Sequence, residues 1–224
     1  MLMRILVGLL MCISTSFVTV YAQGSASSEA SSSVSAHVFN EVAASRELIS
    51  RLKRGGFVLY LRHGTTDNTR PDRFPNVDLN DCSTQRPLND EGRKQAIKIG
   101  ESLRKARIPL GEIRISPLCR VKDTAAAALP GITYVVDEKL MYTANLTTEQ
   151  KNPILNNTRF LLSQPVNEHQ NRLLIAHAPN LMDLMGYFPK EGTLVIFLPK
   201  GDAGFEYVAS ILPTQWNDLL RFNE

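Results

Sequence analysis

Two histidines stand at the ends of apolar runs, one in "VLYLRHG" (58–64) and one in "RLLIAH" (172–177). An unprotonated imidazole nitrogen can attack phosphorus when the other ring nitrogen is held as a donor, commonly by a backbone carbonyl. Gly64 lets the chain turn sharply after His63 and supply such a carbonyl. A phosphoryl group also needs cations around its oxygens, because the charge spread over them in the transition state is stabilised by donors already in place. Arg62 offers a bidentate fork beside His63. A second fork is expected from "SPLCRVKDTA" (116–125), where Arg120 falls in the first turn of a predicted helix and is better placed than Arg114 or Lys122.

Such residues need a scaffold that brings distant strand ends to one edge. The runs 57–61 and 172–177 are apolar without alternation, as suits central strands covered on both faces. Further strands are predicted over 112–115, 133–136, "GTLVIFLP" and "FEYVASILP". Phe39, Val42, Ala43, Leu48, Ile49 and Leu52 recur at helical spacing, so a helix is expected over 38–52, stopped by Gly55-Gly56. Asn89 caps a second helix, 89–107, with Asp90 and Glu91 in its first turn. Others are expected from Pro117 to Pro130, over 147–162 with Pro153 unsettling its bounds, over 180–187 and over 215–222. Strands alternating with helices predict an α/β fold, a three-layer α/β/α sandwich with a mostly parallel central sheet. In such sheets ligands bind at the carboxyl ends of strands, where His63 and His177 both fall.

The 224 residues, 43% hydrophobic, suffice for the core of one domain. A net charge of +3, with basic and acidic residues interleaved, gives no broad basic face for nucleic acid, so any bound anion is expected to be small. Residues 1–22 have the charged start, the apolar stretch and, in Val20-Tyr21-Ala22, the small residues at alternate positions of a signal peptide, with cleavage expected after Ala22. That reading is preferred to a retained anchor, since a spanning helix needs about 20 apolar residues. Membrane contact is thus expected only through this segment before cleavage, and the chain is expected to be periplasmic or secreted. A Ser-rich flexible segment, 23–37, precedes the domain, 38–224. Cleavage leaves Cys82 and Cys119, for which pairing is favoured over two free thiols. Such a bridge would pin the polar loop 65–87, with its Arg70, Arg73 and Arg86, one residue from Arg120. That loop either clasps a polar substrate or is simply solvated.

The segments "LRHGTTD", "RPLNDEGRKQA", "SPLCRVKDTA" and "LLIAHAPNL", in that order, resemble the histidine phosphatase superfamily, also called phosphoglycerate mutase-like. The likeness runs over 55–213 and is greatest to exported bacterial members with Asp-Cys followed by Gln-Arg, here Asp81-Cys82 and Gln85-Arg86. The resemblance implies a phosphohistidine mechanism without metal or other cofactor. His63 matches the nucleophile, Arg62, Arg120 and His177 match the groups on the phosphate oxygens, and Gly64 matches the turn that shapes the loop. Asp67 and Arg86 join Gly64 as expected substrate contacts. The chain departs from the family at the proton donor, with Tyr142 and Ala178 where carboxylates are usual. Glu191 is the favoured replacement, then Asp67, then Asp137 or Glu138. The expected activity is hydrolysis of a small phosphorylated substrate or a phosphorylated envelope component. The alternative is a catalytically weak phosphate-binding or envelope-interaction protein that retains the pocket.

Overall fold

The computed structural model of the chain describes residues 38–221. The expected signal peptide, its cleavage site and the Ser-rich segment lie outside the described residues, as does Phe222. Six strands form one sheet: β1 (Val58–Arg62), β2 (Leu110–Ile115), β3 (Val135–Val136), β4 (Asn171–Ala176), β5 (Leu194–Pro199) and β6 (Phe205–Ile211). Their order is β3-β2-β4-β1-β5-β6. The first four in that order run parallel, while β5 is antiparallel to both β1 and β6. β5 and β6 form a hairpin, which needs no covering crossover.

The absence of alternation in the central strands follows from burial on both faces. β4 is buried at every position and β1 at its first four. Leu59 and Leu61 of β1 point to one side, where they pack with Leu52, Ile99, Val121 and Trp216 from α1 (Arg46–Leu52), α2 (Asp90–Lys105), α3 (Cys119–Ala128) and α6 (Trp216–Leu220). Val58 and Tyr60 point to the other, against Leu161, Leu162 and Leu181 from α4 (Thr148–Ser163) and α5 (Ala178–Met185). The two-residue period of a strand thus splits one apolar run between two cores, and the architecture is the three-layer sandwich expected.

Register places the site. Arg62 pairs with Ala176 across the parallel β1–β4 ladder, and Ile115 of β2 pairs with Ile175. The next residues, His63, His177 and Ser116, therefore leave the sheet side by side. The His63 N–H donates to Ala176 O at 3.1 Å and the Ser116 N–H to Ile175 O at 3.0 Å.

The helix expected over 38–52 is confined to Arg46–Leu52. Ser45 ends it at the amino side by accepting the Leu48 N–H, and the residues before it run beside β6, with Ala44 N–H to Ser210 O at 3.0 Å. Phe39 stacks on Tyr187 with ring centroids 4.2 Å apart and meets Tyr207 of the edge strand β6 at 4.8 Å, so its apolar ring is used at a sheet edge rather than on a helix face. α4 continues through Pro153, its start fixed by a capping box of Thr147 and Gln150. α3 begins at Cys119 rather than Pro117, because Leu118 is extended at ψ 142. α5 starts two residues earlier than predicted and stops at Gly186, which takes φ 75.

Candidate active site

Beyond β1 the chain folds back so that the Gly64 carbonyl lies 2.8 Å from Nδ1 of His63. A carbonyl can only accept, so Nδ1 carries the ring proton and a neutral His63 presents its lone pair on Nε2. No hydrogen bond engages Nε2 among the described residues, and the ring is 1% exposed. The Gly64 N–H donates to Thr124 Oγ1 at 3.0 Å. A Cβ on Gly64 would stand 2.6 Å from the Gly92 carbonyl oxygen, and one on Gly92 would stand 2.0 Å from that of Thr65. This glycine pair lets the first turn of α2 press against the loop after His63. Gly92 was legible in "LNDEGR" only as a helix residue.

His177 follows β4, its ring centroid 5.4 Å from that of His63. Its Nε2 lies 2.7 Å from Ser116 Oγ at the end of β2. A Ser116 hydroxyl donating there leaves the ring proton on Nδ1, which is buried and has no partner. Tyr60 fixes the backbone at this point: its hydroxyl donates to His177 O at 2.8 Å and accepts the His177 N–H at 3.1 Å.

Three guanidinium groups surround the two rings. Arg120, fully buried in the first turn of α3, donates through Nη1 to Asp72 Oδ1 at 3.0 Å. The Tyr142 ring covers it at 5.3 Å and meets His177 edge-on at 5.5 Å. Arg62 donates through Nη1 to Pro189 O at 2.6 Å, and its Nη2 lies 3.6 Å from Glu191 Oε1. Arg86 donates through Nη1 to Asn68 Oδ1 at 3.3 Å. Arg62 Nε, Arg86 Nε, and Arg120 Nε and Nη2 are all buried without partners. An unsatisfied buried donor costs about 1–3 kcal/mol, so several converging ones mark a place built for an anion. Arg114 is different, tied to Glu112 and to Asp137.

The carboxylates divide between site and scaffold. Glu191 accepts from Thr66 Oγ1 at 2.7 Å beside Arg62, its side chain 20% exposed. Asp67 turns into its own loop, accepting from the Thr69 N–H at 2.9 Å and hydroxyl at 2.7 Å, bonds that hold it below the usual carboxylate range. Asp137 is engaged by Arg114 and Asn157. Asp72 was not singled out from the sequence, where it is one of several polar residues in a long loop. Ser116 and Thr124 were also missed as polar partners, though Ser116 sits at a strand's carboxyl end.

Cys82 and Cys119 are joined, with Cα atoms 5.7 Å apart. Gln85 Oε1 accepts the Cys119 N–H at 2.7 Å, so the loop bearing Asp72 and Arg86 is fastened to α3 beside Arg120. Reduction is expected to cost about 2–4 kcal/mol of stability. It should also lower phosphoester turnover or phosphate affinity several-fold, and full retention of both with thiol titration proving the bridge broken would contradict this.

Burial pushes the His63 and His177 pKa well below the ordinary value, and the neighbouring Arg120 charge pushes both the same way. Both rings are therefore neutral at pH 7. Below about pH 6.5 the unfolded chain takes up two protons that the native site refuses, so stability falls as pH falls. The slope approaches about 1.4 kcal/mol per pH unit for each ring. Denaturant unfolding at pH 7.5 and 5.5 should show this loss, and His177→Gln should reduce the slope; an unchanged slope would contradict the burial of a neutral ring.

A cavity of about 610 Å³ around Lys98, Glu101, Lys105 and Arg221 shares no residue with this cluster. Converging buried charge, rather than volume, therefore identifies the site. The family description that matches the chain is the histidine phosphatase superfamily (branch 1), over residues 58–152, a stretch containing Arg62, His63, Arg86 and Arg120 but not His177. No curated protein matches in sequence. The fold is similar to that of mycobacterial hydrolase 1, at 20% identity and TM-score 0.51, over 70% of this chain and all of that one. It is also similar to a mycobacterial glucosyl-3-phosphoglycerate phosphatase in complex with inorganic phosphate, at 19% identity and TM-score 0.50, over 71% of this chain and 99% of that one.

Proposed function

We propose that this chain, which belongs to the histidine phosphatase superfamily, hydrolyses phosphomonoesters through a phosphohistidine formed on His63. The observation that carries the reading is the Nδ1 contact of His63 to the Gly64 carbonyl, which frees Nε2 beside unpartnered nitrogens of Arg62, Arg86, Arg120 and His177. The Nε2 lone pair attacks phosphorus, the ester P–O bond breaks, and the leaving oxygen takes a proton. Water then attacks the phosphohistidine, releasing inorganic phosphate and the neutral ring. The guanidinium groups and the His177 N–H balance the charge on the phosphoryl oxygens, the part a metal ion would otherwise play.

Two carboxylates reach the cradle, and they are assigned different parts. Asp72 is held by Arg120 Nη1 and by the Arg86 N–H at 2.8 Å, which suits it to orient the fork. Glu191 is proposed as the proton donor to the leaving oxygen. Glu191→Gln is expected to lower kcat on ethyl phosphate by about 10²–10⁴-fold, because an alkoxide needs an acid. The loss on 4-nitrophenyl phosphate, whose leaving group departs unprotonated, should be under about tenfold. Equal losses on both esters would remove the acid from Glu191, and no turnover of either by the parent protein would remove the phosphatase reading.

The amino-terminal sequence and the Cys82–Cys119 bridge support action outside the cytoplasm. The substrate is then a small phosphorylated compound or a phosphorylated envelope component. No helix among the described residues is long and apolar enough to cross a membrane.

A further inference from the structure

A cavity of about 200 Å³ opens beside the cation cluster, between the loop around 72–77 and the segment 141–146. Two of its lining side chains also belong to the cluster: Asp72, which holds Arg120 at 3.0 Å, and Tyr142, whose ring covers the same guanidinium at 5.3 Å. The cavity therefore adjoins the proposed phosphoryl site, with which it shares these two walls. Its other walls are apolar except for Asn145, with Phe74, Val77, Leu118 and Leu146 among them. The bonds from Arg120 and from the Arg86 N–H both fall on Asp72 Oδ1, so Asp72 Oδ2 and Asn145 are the few polar partners these walls offer a hydroxyl group. Phe74 stands 58% exposed at this cavity, an apolar ring whose burial awaits a partner.

Size narrows what could enter. An apolar cavity of about 150 Å³ takes up benzene, so the space here is large enough to seat one six-membered ring. We propose that this cavity binds the organic group of the phosphoester and selects a flat apolar group of about one ring. Short alkyl groups leave its walls wet, and a polyhydroxylated ring would bury hydroxyls with few partners. This inference rests on the reading of the cluster as a phosphoryl site.

The test compares kcat/KM for benzyl phosphate, ethyl phosphate and glucose 6-phosphate. Benzyl and ethyl alkoxides leave with similar difficulty, so the ratio reports binding of the organic group. Benzyl phosphate is expected to be favoured about tenfold or more over both. Leu146→Gln and Phe74→Ala should each move the benzyl-to-ethyl ratio toward one. Calorimetric binding of benzylphosphonate against ethylphosphonate gives the same comparison without turnover, and benzylphosphonate should bind about tenfold tighter. A ratio near one in the parent protein, a preference for glucose 6-phosphate, or a ratio unmoved by both substitutions would overturn the subsite. If no ester is hydrolysed yet benzylphosphonate keeps its advantage, the phosphatase reading falls and the subsite stands.

Discussion

Replacement of His63 by alanine is expected to lower kcat for phosphomonoesters by about 10⁴-fold or more, because the covalent route loses its only nucleophile. The second imidazole is already engaged: the Nε2 of His177 lies 2.7 Å from Ser116 Oγ, and with the Ser116 hydroxyl donating there the ring carries its proton on Nδ1. The variant should still fold, since the ring lies at a strand end in a polar cradle and outside both hydrophobic cores. It should also still bind inorganic phosphate, because Arg62, Arg86, Arg120 and His177 keep their unpartnered nitrogens. Steady-state turnover, near-ultraviolet circular dichroism and phosphate titration together separate loss of chemistry from loss of fold. Turnover within tenfold of the parent protein would contradict a nucleophilic His63.

Arg120→Lys should lower kcat/KM by about 10²–10³-fold while leaving the protein folded. Lysine keeps the positive charge beside the half-buried Asp72, so neither that carboxylate nor the buried cation position is left uncompensated. It cannot, however, keep one donor on Asp72 while aiming two others at phosphate oxygens, as the Arg120 fork does with Nη1 engaged and Nε and Nη2 open. A lysine variant as active as the parent would mean that charge alone suffices and that the fork geometry is incidental.

Most of the scaffold could be read from the chain because its signals are local. The unbroken apolar runs of β1 and β4 betray strands covered on both faces, and "RHG" and "IAH" mark where those strands stop. Arg120 could be placed because Pro117 and the alanine-rich run after it date the start of α3 to within a turn. Asp72 could not, because its partner is 48 residues away and only the disulfide-fastened loop brings the two together. The stretch 38–44 misled for the opposite reason. Its apolar spacing fits a helix, yet Ser45 caps the helix late and the backbone of 42–44 finds partners along β6. Gly64 and Gly92 show a third case, in which a close approach of two loops is visible only once both are in place.

The most direct measurement is a rapid acid-free quench of the protein with a phosphorus-labelled phosphomonoester, followed by peptide mapping. An acid-labile, base-stable label on the peptide containing His63, formed and discharged at rates that accommodate turnover, is the expected result. Phosphate release with no label on that peptide, or a label that persists in His63→Ala, would contradict a phosphoryl group carried by this ring.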